Sequence, residues 1–209
     1  MKKILSTLFV IATILLTACS SSGPVESKES AIKKLTLDDA WDILDLSTLL
    51  PDDFEELDSA SEGLSNKDMD LGSDFSEVVL YLSDSPFQMI YGFMGIITSR
   101  IESASFDSIM EDEEQLKQII RENIIAGAEA EGAEMTVPDI VIKYPNIGDA
   151  SILGEGIIES SGFYFGFDTC WFRNESTYIF LYSLYMTEDK VDLGPLSESV
   201  NSRLANYSK

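Results

Sequence analysis

The chain has 209 residues, 44% of them apolar, and its 37 acidic residues outnumber 14 basic ones to give a net charge of −23. One ordinary domain fits this length, and the apolar content excludes a wholly disordered chain. The sequence contains no histidine, which excludes Ser-His-Asp and Cys-His mechanisms and imidazole metal sites. Because nucleic acid is a polyanion, the charge also excludes it as a partner.

The N-terminal segment has the three parts of a secretory signal. Lys2 and Lys3 form a positive region, and a nearly unbroken apolar run follows from Ile4 to Leu16. That run has about 13 residues, whereas a membrane-spanning helix requires about 20. We therefore expect residues 1–18 to be a cleaved signal peptide rather than a permanent transmembrane helix.

The apolar run ends in Leu16-Thr17-Ala18-Cys19, which resembles the lipobox of bacterial lipoproteins. The resemblance implies that the Cys19 thiol receives a diacylglycerol before a signal peptidase cuts ahead of it. The alternative is an ordinary signal peptide with a chance cysteine at its end. Residues 19–34 are small, polar and mixed in charge, which predicts a flexible tether. We expect a lipid-anchored chain on the extracytoplasmic side of the cell membrane or the outer membrane.

The second cysteine, Cys170, is then the only thiol left in the mature chain. No intramolecular disulfide is possible in that case. Cys170 lies inside the apolar run Phe163–Phe172, where we expect a small buried hydrophobe rather than a reactive thiol.

Residues 35–209 are expected to form a single domain that begins with a helix. Thr36 is a candidate cap for a helix over Leu37–Leu46, which Leu50-Pro51 ends. A polar stretch over residues 59–76 follows, with a helical turn predicted around Asn66–Leu71 that stops at Gly72.

Two apolar runs then predict a β-hairpin. Glu77–Leu82 has the composition of a strand, and Ser83-Asp84-Ser85-Pro86 is typical of a turn. The second run, Phe87–Thr98, is predicted as the second strand, with a buried helix as the alternative.

The clearest helix is predicted over Glu111–Glu131, with acidic residues in its first turn and apolar residues at spacings of three and four. We expect Arg100, Glu102 and Asp107 in the connection that precedes it. Gly132 is the expected stop.

Four strands at short intervals and a terminal helix complete the predicted fold. The strands are Thr136–Tyr144, Ser151–Glu159, Phe163–Arg173 and Thr177–Met186. Apolar residues occupy both faces of the last two, so we expect these to be central and covered on both sides. Gly194-Pro195 opens the helix. The predicted class is α+β, an antiparallel sheet covered by helices on both faces in three layers.

Short motifs support a family resemblance. Leu49–Phe54, Ile147–Ser151 and the hairpin Phe163–Tyr185 with Phe172-Arg173-Asn174 near its turn resemble those of extracytoplasmic lipoproteins with a PsbP/Mog1-like α/β/α sandwich. The resemblance implies an accessory, assembly or binding role, mostly without enzymatic activity. It supplies no catalytic motif.

No sequence motif identifies a catalytic, cofactor-binding or metal-binding residue. The chain has no phosphate-binding glycine pattern, nucleophile elbow or paired metal-ligand cysteines. Gly154-Glu155-Gly156 instead predicts a bulge or a close backbone approach within a strand. The acidic runs Asp52–Glu56 and Glu111–Glu114 are typical of solvated faces, with divalent cations as the alternative. The nearest match to a calcium loop has the wrong spacing: Asp68, Asp70, Gly72 and Asp74.

The leading hypothesis is a lipid-anchored, extracytoplasmic accessory or binding module without catalytic activity, whose partner is another envelope protein or a small ligand. One alternative is a hydrolase that uses two carboxylates. The other is a carrier whose aromatic residues line a cavity for an apolar ligand. The aromatic residues concerned are Phe163, Tyr164, Phe165, Phe167, Trp171, Phe172, Tyr178, Phe180, Tyr182 and Tyr185. The excess of acidic residues in the chain is explained either by cation binding or by a saline habitat.

Overall fold

A computed structural model describes residues 37–57, 75–84, 87–96, 100–130, 134–186 and 190–207. In chain order the elements are α1 (Leu37–Leu44), β1 (Glu55–Glu56), β2 (Phe75–Asp84), β3 (Phe87–Ile96), α2 (Arg100–Glu111), α3 (Glu113–Ala130), β4 (Met135–Thr136), β5 (Ile140–Lys143), β6 (Ala150–Ser160), β7 (Phe163–Asn174), β8 (Thr177–Tyr185) and α4 (Leu193–Tyr207). Several predicted features lie outside the described residues: the signal peptide over 1–18, Cys19, the tether over 19–34, the Thr36 cap, and the turn around Asn66–Leu71.

The described strands form one sheet of eight, and every neighbouring pair is antiparallel. The order is β1-β2-β3-β8-β7-β6-β4, and β5 also pairs with β6. The predicted α+β class is confirmed, and so is the central position of β7 and β8. Short turns join β6 to β7 and β7 to β8, which is the connection that antiparallel neighbours require.

The predicted hairpin is present as β2 and β3, with a strand rather than a buried helix in the second run. Gly92 lies at a close approach between strands. A Cβ built there would be 2.8 Å from Cγ2 of Val79 and 3.2 Å from Cδ2 of Leu181. Packing therefore favours glycine at this position.

The prediction that Arg100, Glu102 and Asp107 belong to a connection is wrong, because all three lie in α2. Serine and acidic residues in this segment obscured its helical period. The buried side chains of Phe106 and Met110, one turn apart, dock the helix, so tertiary packing overrides its weak local preference.

The predicted strand Thr136–Tyr144 is also wrong as a single element, because it is divided into β4 and β5. Both short strands pair with β6. Pro138 lies between them and has no N–H to donate to a neighbouring strand, so the pairing is interrupted at that point.

Buried apolar side chains form two clusters, and consecutive residues of the central strands alternate between them. On β7 and β8 the first cluster contains Phe165, Phe167, Trp171, Tyr182 and Leu184. On the same strands the second contains Cys170, Phe172, Ile179 and Leu181. Helices α2 and α3 contribute Phe106, Met110, Leu116, Ile120 and Ile124 to the first cluster. Helices α1 and α4 contribute Ala40, Ile43, Leu44, Leu193, Leu196, Val200 and Leu204 to the second.

Candidate functional site

A buried ion pair lies near the end of β8. Asp168 of β7 is only 2% exposed. The Tyr185 hydroxyl donates a hydrogen bond to its Oδ1 at 3.0 Å, and the Lys190 ammonium forms a salt bridge with its Oδ2. Lys190 also donates to the Tyr185 hydroxyl at 2.8 Å, and its Nζ is 4.2 Å from the centre of that ring. We call these three residues the Asp168 cluster.

The environment shifts the titration of all three groups. Burial raises the pKa of Asp168, although the contacts with Lys190 and Tyr185 oppose that shift. Partial burial lowers the pKa of Lys190, but its bonds to Asp168 and Tyr185 outweigh burial, so the pKa is raised. Burial likewise raises the pKa of Tyr185. Each Asp168 oxygen is occupied by a partner within the cluster.

A second polar contact holds the same part of the chain against the sheet. Gln88, which is buried on β3, donates from Nε2 to Ser183 Oγ at 2.8 Å and to the Val191 carbonyl at 3.3 Å. The Val191 N–H donates to Gln88 Oε1 at 2.9 Å. Lys190 and Val191 are therefore both fixed to the sheet immediately before α4 begins at Leu193.

Three apolar side chains beside the Asp168 cluster are exposed to solvent. Val141 on β5 is 56% exposed, Ile157 on β6 is 52% exposed, and Tyr164 on β7 is 63% exposed. We call them the apolar patch. An isolated exposed apolar residue is ordinary on a protein surface, whereas adjacent ones suggest an interaction site.

The strand register brings the apolar patch together on one face. Val141 is opposite Glu155, two residues before Ile157 on β6. Ile157 is opposite Gly166, two residues after Tyr164 on β7. Since residues two apart on a strand point to the same side, Ile157 is a diagonal neighbour of both Val141 and Tyr164.

The Asp168 cluster borders this patch through Tyr185. Tyr185 is opposite Gly166 on β7, and a Cβ added to Gly166 would collide with its ring. The Tyr185 ring can therefore lie over Gly166 only because that residue has no side chain. Gly166 separates Ile157 on one side from Tyr185 on the other.

Acidic residues alternate with the patch residues or lie close to them along the chain. The carboxylates of Glu134, Asp139 and Glu159 belong to exposed residues. Glu159 is paired directly opposite Tyr164, and the Glu134 carbonyl accepts a hydrogen bond from Ser160 at 3.2 Å. Two lysines lie nearby, but each already binds a carboxylate: Lys143 is 2.7 Å from Glu155, and Lys190 binds Asp168.

The turn between β6 and β7 extends the exposed region. Ser161 and Gly162 have φ values of 52° and 81°, which suits a two-residue hairpin connection because its twist matches that of the strands. Phe163 follows directly and is 60% exposed. Because Phe163 and Tyr164 are consecutive residues of β7, their side chains point to opposite faces of the sheet, and Phe163 lies outside the apolar patch.

The motif residues that support the family resemblance meet at the opposite end of β7. The Arg173 guanidinium donates from Nε and Nη2 to both carboxylate oxygens of Asp107 at 2.9 Å, and from Nη1 to Asp149 at 3.1 Å. Gly148 has a φ of 63°, and a Cβ there would collide with the Arg173 carbonyl. These contacts join α2, the 144–149 loop and β7, so the motif has a structural role.

The acidic runs considered as cation sites have local structural contacts. Asp53 accepts a hydrogen bond from Ser83 at 2.7 Å. Asp112 caps α3 by accepting from the Gln115 N–H at 3.0 Å, and Lys117 lies 2.6 Å from Glu113. Within the described part of the chain, no group of three or more Cys, Asp or Glu residues is arranged to hold a metal ion.

The aromatic residues considered as a cavity lining pack against one another. Phe180 lies at the centre of the group, with its ring centroid 5.3 Å from that of Phe93, 5.0 Å from Trp171 and 5.5 Å from Tyr178. These separations are typical of a packed aromatic core. Cys170 is completely buried, as expected, and burial raises the pKa of its thiol to about 12.

Sequence reasoning missed both the Asp168 cluster and the apolar patch, although each left a signal. Asp168 is the only charged residue in the apolar run Phe163–Phe172, and a carboxylate in such a run requires a buried cationic or hydrogen-bonding partner. Ile157 alternates with Glu155 and Glu159, which places an apolar residue between two acidic ones on the same side of β6. The partners, Lys190 and Tyr164, could not be identified without the strand register.

No model of a protein family matches the chain, and no curated protein matches it either. Among the described helices, none combines the length and the apolar character needed to cross a membrane.

Proposed function

We propose that this chain is a lipid-anchored, extracytoplasmic accessory module that binds a partner and has no catalytic activity. Cleavage after residue 18 leaves Cys19 as the lipidated N-terminus, residues 19–34 as a tether, and residues 35–209 as the binding domain. The observation that carries the binding role is the apolar patch, in which Val141, Ile157 and Tyr164 are each more than half exposed.

The energetics of the patch favour a binding role. Complete burial of a large apolar side chain stabilises by about 1.5–3 kcal/mol, so covering the exposed part of each patch residue adds on the order of 1 kcal/mol. The patch lies on paired strands, which hold the three side chains in place before a partner arrives. A preformed surface loses less conformational entropy on binding than a loop does.

The absence of catalysis is part of the same proposal. Its support is the state of Asp168, the most deeply buried carboxylate described, whose two oxygens are occupied by Tyr185 and Lys190. A general acid or base needs to reach the substrate proton directly or through one water. Turnover of glycan, ester or peptide substrates that disappears with Asp168→Asn would contradict this part.

We also propose the three-layer arrangement of the PsbP/Mog1-like sandwich, with helices on both faces of the sheet. The alternation of buried residues between two clusters that involve different helix pairs supports it. In an NMR structure we expect methyl contacts of Leu181 with Leu44 in α1 and of Thr169 with Ile120 in α3. Contacts of both helix pairs with the same face would contradict it.

The anchor is tested by fractionating cells that express the chain or its Cys19→Ala variant. We expect the wild-type chain in the membrane fraction with a mass that includes diacylglycerol, and an unlipidated precursor from Cys19→Ala. Cys170→Ala is the matched control, because it removes the other thiol and should leave lipidation unchanged. Normal mature protein at the membrane from Cys19→Ala would contradict lipidation.

The binding role is tested by crosslinked capture from intact cells with the anchored chain as bait. A reproducible partner protein is expected. If a co-purified lipid were found instead by native mass spectrometry of the isolated chain, the role of an apolar-ligand carrier would replace the proposed one.

A further inference from the structure

We infer that the apolar patch is the docking surface for a protein whose own surface presents an apolar centre surrounded by lysine or arginine side chains. This inference rests on the proposed function and specifies its partner. The patch supplies the apolar half of the contact, and the acidic rim supplies the charge that selects the partner.

The rim is acidic because its basic residues are already neutralised by internal partners. Lys143 is bonded to Glu155 at 2.7 Å, and Lys190 is held by Asp168 and Tyr185. Exposed Glu159 is paired opposite Tyr164, exposed Asp139 lies two residues before Val141, and exposed Glu134 directly precedes β4, which pairs with β6. A partner with lysine or arginine opposite these carboxylates gains both association rate and specificity.

Charge disfavours the other occupants of an apolar surface. A second copy of the chain carries the same net charge of −23 and would bring two acidic rims together. An anionic lipid surface repels the rim in the same way, because its potential attracts basic rather than acidic segments. A basic protein face satisfies both the apolar centre and its acidic rim.

Two patch residues have the properties of binding anchors. Ile157 lies at the centre of the patch, between Glu155 and Glu159 on its own strand and opposite Gly166 on the next. Tyr164 offers a large ring with a polar hydroxyl, a type of residue that contributes strongly to protein interfaces. The rigid ring of Tyr185, held by Asp168 and Lys190, bounds the patch next to Ile157.

The test replaces Ile157 with the photoreactive residue benzoylphenylalanine in the full chain and irradiates intact cells. Asn206, exposed on α4, receives the same residue as a control. We expect an adduct with one protein from position 157 and not from position 206. An adduct with a second copy, an adduct with lipid, or no adduct from position 157 would each overturn the inference.

The crosslinked protein is then purified, and its affinity for the full chain is measured. We expect Ile157→Ser and Tyr164→Ser each to weaken binding by about tenfold, which is typical of an interface anchor. Tyr144→Ser is the matched control, because Tyr144 is 54% exposed and follows the end of β5, where its charged neighbours include Asp112 and Glu113 at the start of α3. Equal affinities for Tyr164→Ser and wild type would overturn the inference.

The charge requirement has its own readout. Raising salt from about 0.05 M to about 0.5 M should weaken binding, because exposed charges are screened over this range. Glu159→Gln should weaken it more than the control Glu198→Gln on α4. An affinity that is independent of salt and of Glu159 would overturn the partner chemistry. If the anchored chain captures a partner that contacts neither position 157 nor position 164, this inference fails while the proposed binding role remains.

Discussion

Lys190→Met removes the ammonium group that pairs with the buried carboxylate of Asp168, and it keeps most of the apolar length of the side chain. Removing one partner of a buried pair costs about 3–5 kcal/mol, since the other charge is left without compensation. Asp168 is 2% exposed, but the Lys190 side chain is 23% exposed and the Tyr185 hydroxyl remains as a donor. We therefore expect the free energy of unfolding to fall by about 2–3 kcal/mol, which is less than the cost for a fully buried pair.

The destabilisation caused by Lys190→Met should depend on pH, and the direction of that dependence can be stated. Burial already raises the pKa of Asp168, and removal of the ammonium should raise it further. A carboxyl group whose pKa is higher in the folded chain than in the unfolded chain contributes stability that is present at low pH and lost as pH rises through the folded pKa. Lys190→Met should therefore be most destabilising near neutral pH and should recover stability on acidification.

The assay is urea unfolding of the soluble mature chain, residues 19–209 with Cys19→Ala, followed by far-UV circular dichroism. Asp168→Asn/Lys190→Met should cost less than Lys190→Met alone at neutral pH, because the double variant leaves no buried charge. Lys143→Met is the control from a more exposed pair and should cost less than about 1 kcal/mol. A loss below about 0.5 kcal/mol for Lys190→Met, or a loss that does not change with pH, would refute the reasoning.

Three further predictions concern stability in the same assay. Burial raises the pKa of the Cys170 thiol from 9.0 to about 12, so above pH 9 the unfolded chain releases a proton that the folded chain keeps. Between about pH 8 and pH 10 the free energy of unfolding of the wild type should therefore fall by about 1.4 kcal/mol more than that of Cys170→Ala. Parallel pH profiles for the two chains would contradict this. Arg173→Lys replaces a two-pronged guanidinium contact with a single ammonium and should cost about 1–3 kcal/mol; an unchanged urea midpoint would show that the contact with Asp107 contributes little. Gly148→Ala should cost more than Gly162→Ala, because both residues have positive φ but only the first would collide with a neighbouring carbonyl; equal losses would mean that backbone strain alone determines the cost.

The central strands could be predicted from sequence because apolar residues occupy both of their faces, which is typical of strands buried on both sides. Ile179 and Leu181 alternate with Phe180 and Tyr182, and the structure divides these pairs between two clusters. Helix α4 could also be predicted from sequence, since Leu196, Val200 and Leu204 repeat on one side of the helix and are all buried. In these elements the local pattern and the tertiary packing agree.

The features that were missed depend on contacts between distant parts of the chain. Helix α2 has a polar sequence and is fixed by Phe106 and Met110 in the first cluster. Asp168 and Lys190 are 22 residues apart, and nothing local to either residue identifies the other. The apolar patch exists only because the register places Ile157 between its neighbours on β5 and β7. A one-residue change of register would move every patch side chain to the other face.

Binding through the apolar patch is tested by the amount of partner that the anchored chain captures in intact cells. The comparison is between the wild type, Ile157→Ser/Tyr164→Ser and the control Tyr144→Ser, at equal membrane abundance and equal thermal stability. We predict that the double variant captures at least about tenfold less partner than the wild type, while the control captures the same amount. Equal capture by all three chains would contradict the assignment of this surface.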